Sequence, residues 1–223
     1  MSNKFLQLTD VAAGDVLLFF KSKQDEAEKQ ISKSTHSRYT HSAICVRQGE
    51  IAHQTLDADV VIESTDEAIN GFDHAAVLRR NDLWSLQRMD LLGQFASQAQ
   101  AAATKYNFFG MLRFLRKREK HEGTLQSKLN EFFDGQFLPE PSRKASYHCS
   151  EFVVASFTAT GIIEPSAAIV YRASVISPGD LGRDATFGFF DGYLTQTPGY
   201  QTPEDDDFFY SQPFSEILKD WDD

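Results

Sequence analysis

Between residues 145 and 157 the chain reads ASYHCSEFVVASF, a polar lead that turns apolar at a cysteine. The run continues to Gly161 and Pro165, the stop signals of a helix. Cys149 therefore falls at or beside the first turn, and the interior FVVASF anchors that end of the helix against a sheet. Three roles are open to Cys149: a buried structural thiol, half of a disulfide, or a nucleophile placed at a helix start. The second cysteine is Cys45, flanked by Ile44 and Val46 in a strand-like run and read as core. Two cysteines make no disulfide framework, and a bond between them would disable a nucleophile.

The rest of the chain supplies a sheet for that helix. GDVLLFF (14–20) starts at a turn-forming Gly-Asp and reads as a buried strand. THSAICVRQGEIAHQTLDADVVIES reads as two strands around a turn at RQGE. Alternation in the first of these puts His41, Ala43 and Cys45 on one face, and Ser42, Ile44 and Val46 on the other. SKQDEAEKQISKSTHS is polar and helix-compatible, with Ile31 as its anchor. The strongest helical periodicity lies in DLWSLQRMDLLGQFASQAQAAATKY, which is rich in Ala, Leu and Gln and free of Pro. The stretch from Asn107 to Ser142 reads as shorter helices and loops, and SPGD (177–180) as a turn. With 223 residues and neither an internal repeat nor a linker, the expectation is one α+β domain.

A thiol attacks as thiolate, and a helix N-terminus with a nearby imidazole favours that form. Glu151, in the same first turn, suits the positive end of the helix dipole. Six histidines compete for the role of base. His148 is adjacent in sequence, so its side chain points elsewhere. His36, His74 and His121 lie in polar segments and read as solvent-exposed. His53 sits in a strand and stays a candidate. His41 opens a strand whose same-face neighbours, Ala43 and Cys45, are small enough to let a helix end approach. Glu63 ends the strand VVIES, where it is either the group that orients the imidazole or an ordinary strand-end charge.

In order along the chain, AAGDVLLFF, ISKSTHSRYTHSAICV, VVIES, YNFFG, YHCSEFVVASF and SPGDL resemble the circularly permuted branch of the papain-like NlpC superfamily. This branch includes YiiX-like bacterial proteins and lecithin:retinol acyltransferase relatives. The match spans residues 12–181 and rests most on Thr40-His41-Ser42 opening a strand and Tyr147-x-Cys149-Ser150-Glu151 opening a helix. It implies an α+β, papain-like fold in which an antiparallel sheet packs against the helix bearing the nucleophilic cysteine. Residues 1–181 would form the catalytic domain, with 182–223 a C-terminal extension, aromatic and acidic, packed on it. The resemblance implies Cys149 as nucleophile, His41 as base and a polar third residue that maps to Glu63. Two departures stand out: EIAHQTLDAD lengthens the second strand region, which keeps His53 in play as the third residue, and nothing after Asp180 has a counterpart. The implied chemistry is acyl transfer through a thioester, its oxyanion held by the Cys149 N–H and a second donor. Tyr147 is the candidate for that donor, or for a substrate contact.

Charge narrows the partners. Seven of the ten net negative charges lie in residues 201–223, so a general affinity for nucleic acid or anionic membrane is not expected. No segment is long and apolar enough to span a bilayer, and the first residues lack the pattern of a secretory signal. No His/Cys/Asp cluster has metal-ligand spacing, so neither metal nor other cofactor is expected. The expected function is a cysteine hydrolase cutting an amide bond, with bacterial peptidoglycan peptide as the first substrate class. A cell-wall enzyme made in the cytoplasm without a signal would need another route out, which suggests an antibacterial effector with a delivery or immunity partner, acting in the periplasm of a target cell. The alternatives are a lipid or thioester acyl hydrolase or acyltransferase, and an inert binding module of the same fold.

Overall fold

Six antiparallel strands organise the protein in a computed structural model that describes residues 4–55, 59–102, 105–106, 114–134, 146–164 and 166–219. Strands β1 (Val16–Phe20), β2 (His41–Arg47), β3 (Glu50–Gln54), β4 (Val60–Ser64) and β5 (His74–Arg79) come from the first third of the chain. A short parallel pair, β6 (Lys105–Tyr106) with β7 (Ser146–Tyr147), lies apart from them. The sheet is completed by β8 (Phe189–Leu194) at its edge, in the order β4-β3-β2-β1-β5-β8. The extension after residue 181 thus supplies a strand to the main sheet.

Seven helices are described: α1 (Glu26–Thr35), α2 (Thr65–Ile69), α3 (Leu86–Ala101), α4 (Phe114–Phe133), α5 (Cys149–Ala159), α6 (Pro178–Arg183) and α7 (Phe214–Lys219). The chain is α+β, as its sequence predicts. Helix α5 ends where Gly161 takes φ 70°, a conformation that favours glycine. Residues 114–133 form one helix rather than several short pieces. Gly123 does not break it, and Arg118–Glu122 and Ser127–Glu131 contacts at i,i+4 support its polar surface. SPGD is a helix start rather than a simple turn: Ser177 caps α6 and Pro178 occupies its first turn.

The sheet is buried on both faces. On one, Val16, Leu18, Ile44, Val46 and Ala52 pack with Leu92 and Ala96 of α3 and Phe152, Val153 and Phe157 of α5. Each large side chain buried there contributes about 1.5–3 kcal/mol. On the other face, Leu17, Phe19, Ala43, Cys45 and Ile51 pack with Val11 and with Ala68 and Ile69 of α2. The cysteine helix therefore covers the Ser42/Ile44/Val46 face, not the small-residue His41/Ala43/Cys45 face expected to receive it. The bulkier aliphatic face gives the apolar helix more area to bury.

Candidate active site

Helix α5 begins with an unusual cap. His148 Nδ1 accepts the Glu151 N–H at 3.2 Å, and the His148 N–H donates to Glu151 Oε2 at 3.3 Å. This reciprocal capping uses the lone pair that a base at His148 would need. Cys149 follows as the first helical residue, 7% exposed and free of any disulfide, as is Cys45. Burial pushes the Cys149 thiol up; the Ser42 hydroxyl and N–H, and the N–H groups of Ser150 and Cys149 itself, pull the other way without overcoming it. Its resting form is the neutral thiol. Cys45 is pushed up to about 12, by burial and then by Asp15, and belongs to the core.

The Ser42 N–H faces the sulfur because of strand register. In β2, Cys45 donates its N–H to Asp15 O on the β1 side. By alternation the Ser42 N–H points away from β1, toward β3. The β2–β3 ladder begins only at Ile44↔Ala52, so that N–H lies outside it.

The three other candidates form a chain on the opposite face of the same strands. His41 Nε2 lies 2.7 Å from His53 Nδ1, and His53 Nε2 lies 2.8 Å from Glu63 Oε1. Cross-strand register explains the alignment, since Ile51↔Glu63 and His53↔Val61 are partners on β3 and β4. The His41 ring stacks on Phe72 at 5.9 Å and packs on Phe19 at 5.4 Å. Burial and then the neighbouring His53 hold His41 well below the ordinary 6.5. Burial also lowers His53, against the opposing pull of Glu63. Both rings are neutral near pH 7.

The structure thus joins His41 to Glu63 through His53, so His53 is an intermediate link rather than a rival to Glu63. Cys149 and His41 approach the first peptide group of β2 from its two sides, and no hydrogen bond joins them among the described residues. Tyr147 is the last residue of β7, and its side chain lies outside those described. The other histidine expectations change too: His74 is fully buried and His121 is 5% exposed.

In front of Cys149 lies a small pocket that opens to solvent. Ile31 and Thr35 of α1, Phe114 of α4, and Ile176 and Pro178 line it together with Thr40 and His148. Among the described residues that line it, only His148 and Cys149 itself are titratable. Among the described residues no group of three or more His, Cys, Asp or Glu is arranged to hold a metal ion. No described helix is long and apolar enough to cross a membrane.

The acidic extension braces the segment that leads into His41. Three consecutive acids meet three consecutive residues: Arg38 Nη1 lies 2.7 Å from Asp205 Oδ1, the Tyr39 hydroxyl donates to Asp206 at 3.0 Å, and the Ser37 hydroxyl donates to Asp207 Oδ2 at 2.7 Å. Asp206 also accepts from the Tyr193 hydroxyl at 2.7 Å and faces His74 Nε2 at 3.1 Å. Sequence reasoning found no role for this run, because Asp207 and Ser37 stand 170 residues apart along the chain.

No protein-family model matches the chain, and no curated protein matches it. Among solved structures it is similar to one described as the metalloprotein yiiX from Escherichia coli O157:H7, with a TM-score of 0.45 and 14% sequence identity, over 84% of this chain and 89% of that one.

Proposed function

We propose that the protein is a cysteine hydrolase that forms an acyl-enzyme at Cys149, with His41 as base and His53 and Glu63 behind it. The observation that carries this reading is the hydrogen-bonded chain His41–His53–Glu63, ending at the peptide group against which the Cys149 sulfur rests. Carboxylates only accept, so the proton of His53 sits on Nε2 and its Nδ1 accepts from His41 Nε2–H. That leaves the lone pair of His41 on Nδ1, available for the thiol proton. Cys149 and His41 come to β2 from its two faces, so the reading requires the His41 ring and the sulfur to meet at the first residue of the strand when substrate is bound.

In the proposed reaction the thiol proton passes to His41 as the sulfur–carbon bond forms. The carbonyl electron pair moves onto oxygen, and collapse of this intermediate expels the leaving group, which takes the proton from His41. Water then attacks the thioester by the same route and frees the thiol.

The first substrate class is an amide in bacterial peptidoglycan peptide, reached by an effector that is delivered to the target cell and neutralised by an immunity partner. Ile31, Phe114, Ile176 and Pro178 in the pocket lining favour a second reading, a hydrolase or acyltransferase for uncharged acyl esters or thioesters. Digestion of purified peptidoglycan, run beside a panel of acyl esters and phospholipids with wild type and Cys149→Ala, separates the two. Release of stem-peptide fragments by wild type alone supports the first; ester turnover without such fragments supports the second; no Cys149-dependent turnover of either contradicts the proposal.

A further inference from the structure

Two buried hydroxyls beside Cys149 find no ordinary partner among the described residues. Thr40 is 5% exposed and Ser42 is fully buried, and neither Thr40 Oγ1 nor Ser42 Oγ makes a hydrogen bond of ordinary geometry. Thr40 stands just before β2, with its N–H turned to Phe19 O of β1, and it shares with Cys149 the lining of one pocket. Burying a hydroxyl without a partner is unfavourable, so a ligand is the natural candidate to satisfy it. Ser42 faces the sulfur. Thr40 lines the pocket in front of it.

We propose that Thr40 is the second oxyanion donor: its hydroxyl donates a hydrogen bond to the substrate carbonyl oxygen while the sulfur–carbon bond forms, alongside the Cys149 N–H. This rests on Cys149 being the nucleophile. Negative charge appears on that oxygen only after attack, and a donor already in place and shielded from water stabilises it without reorganising. The assignment gives a role to a residue that sequence patterning treats as a strand lead, and it replaces Tyr147 in the role of donor.

The test compares two reagents that attack the same sulfur. p-Nitrophenyl acetate places charge on a carbonyl oxygen and expels p-nitrophenolate, leaving acetyl on Cys149. Iodoacetamide is displaced at carbon, expels iodide and forms no oxyanion. Thr40→Val keeps the shape and removes the donor. The expected result is acetylation of Cys149 slowed by about tenfold or more, with alkylation unchanged and with Thr40→Ser restoring acetylation. Acetylation of Thr40→Val at the wild-type rate overturns the assignment and leaves the nucleophile reading standing. Equal slowing toward both reagents also overturns it, because the variant has then displaced the sulfur. A wild-type protein that is not acetylated at Cys149 removes the nucleophile reading and the Thr40 assignment together.

Discussion

Glu63 Oε1 lies 2.8 Å from His53 Nε2, and this contact sets the proton positions in two imidazoles. Since the carboxylate accepts, His53 presents a bare Nδ1 to His41, which must then carry its proton on Nε2. Glu63→Gln keeps the shape and removes that dictate, because an amide can donate or accept. Acylation of Cys149 is expected to fall about tenfold in Glu63→Gln and further in His53→Ala, with neither loss exceeding the roughly 10²–10⁴-fold typical of removing the general base itself. Rates with p-nitrophenyl acetate check this order. Equal rates in the three proteins would detach the chain from the chemistry.

Burial raises the Cys149 thiol and lowers His41, so the resting pair is neutral. A base must be unprotonated, and a lowered His41 stays so below pH 6.5. Acylation is therefore expected to persist to more acidic pH than an ordinary histidine allows. Alkylation by iodoacetamide, which needs thiolate, is expected to be slow at about pH 7 and to rise steeply at alkaline pH. Rapid alkylation at about pH 6 would instead reveal a preformed thiolate.

The same lowered histidines link stability to pH. As pH falls below 6.5 the unfolded chain takes protons on residues 41 and 53 while the folded protein resists them. Stability is full above that value and declines below it. Each histidine that is protonated only in the unfolded chain costs about 1.4 kcal/mol for every further drop of one in pH. Thermal unfolding from about pH 8 to about pH 5 is expected to show this decline, flattened in His41→Gln/His53→Gln. His121, also lowered by burial, leaves a residual slope in both proteins.

Asp206 holds Tyr39, Tyr193 and His74 in a buried cluster just before the His41 strand. Removing one partner of such a set leaves the others unpaired. Asp206→Ala is expected to lose about 3 kcal/mol or more, and Tyr39→Phe about 1 kcal/mol. Acylation should fall in parallel as residues 37–41 loosen. Denaturant unfolding of both variants measures the losses, and an unchanged midpoint for Asp206→Ala would contradict a bracing role.

Much of this was legible in residue patterning. The apolar run of β1, the alternation of β2 and the polar-to-apolar change at Cys149 marked the sheet and the helix start, while the two strands expected after Thr40 are three, β2 to β4. The face chosen by α5 was not legible, because β2 is apolar on both sides and a period of two cannot tell which side meets a helix. Strand β8 was obscured by Asp191, a buried carboxylate that Arg79 neutralises from β5 at 2.5 Å. His53 looked like an alternative to Glu63 because sequence order cannot show that one stands behind the other across neighbouring strands. The Asp205–Asp207 run read only as part of an acidic extension packed on the domain, with no partners named, for the same reason: they come from the other end of the chain.

In the proposed mechanism everything turns on His41 taking the proton of the Cys149 thiol as the sulfur attacks. The time course of acetyl transfer from p-nitrophenyl acetate to Cys149 at neutral pH, followed by mass spectrometry in wild type and His41→Ala, reads that step itself. Acetyl is expected on Cys149, arriving about 10²–10⁴-fold more slowly in His41→Ala. Equal rates in the two proteins, or acetyl found elsewhere on the chain, would contradict the mechanism.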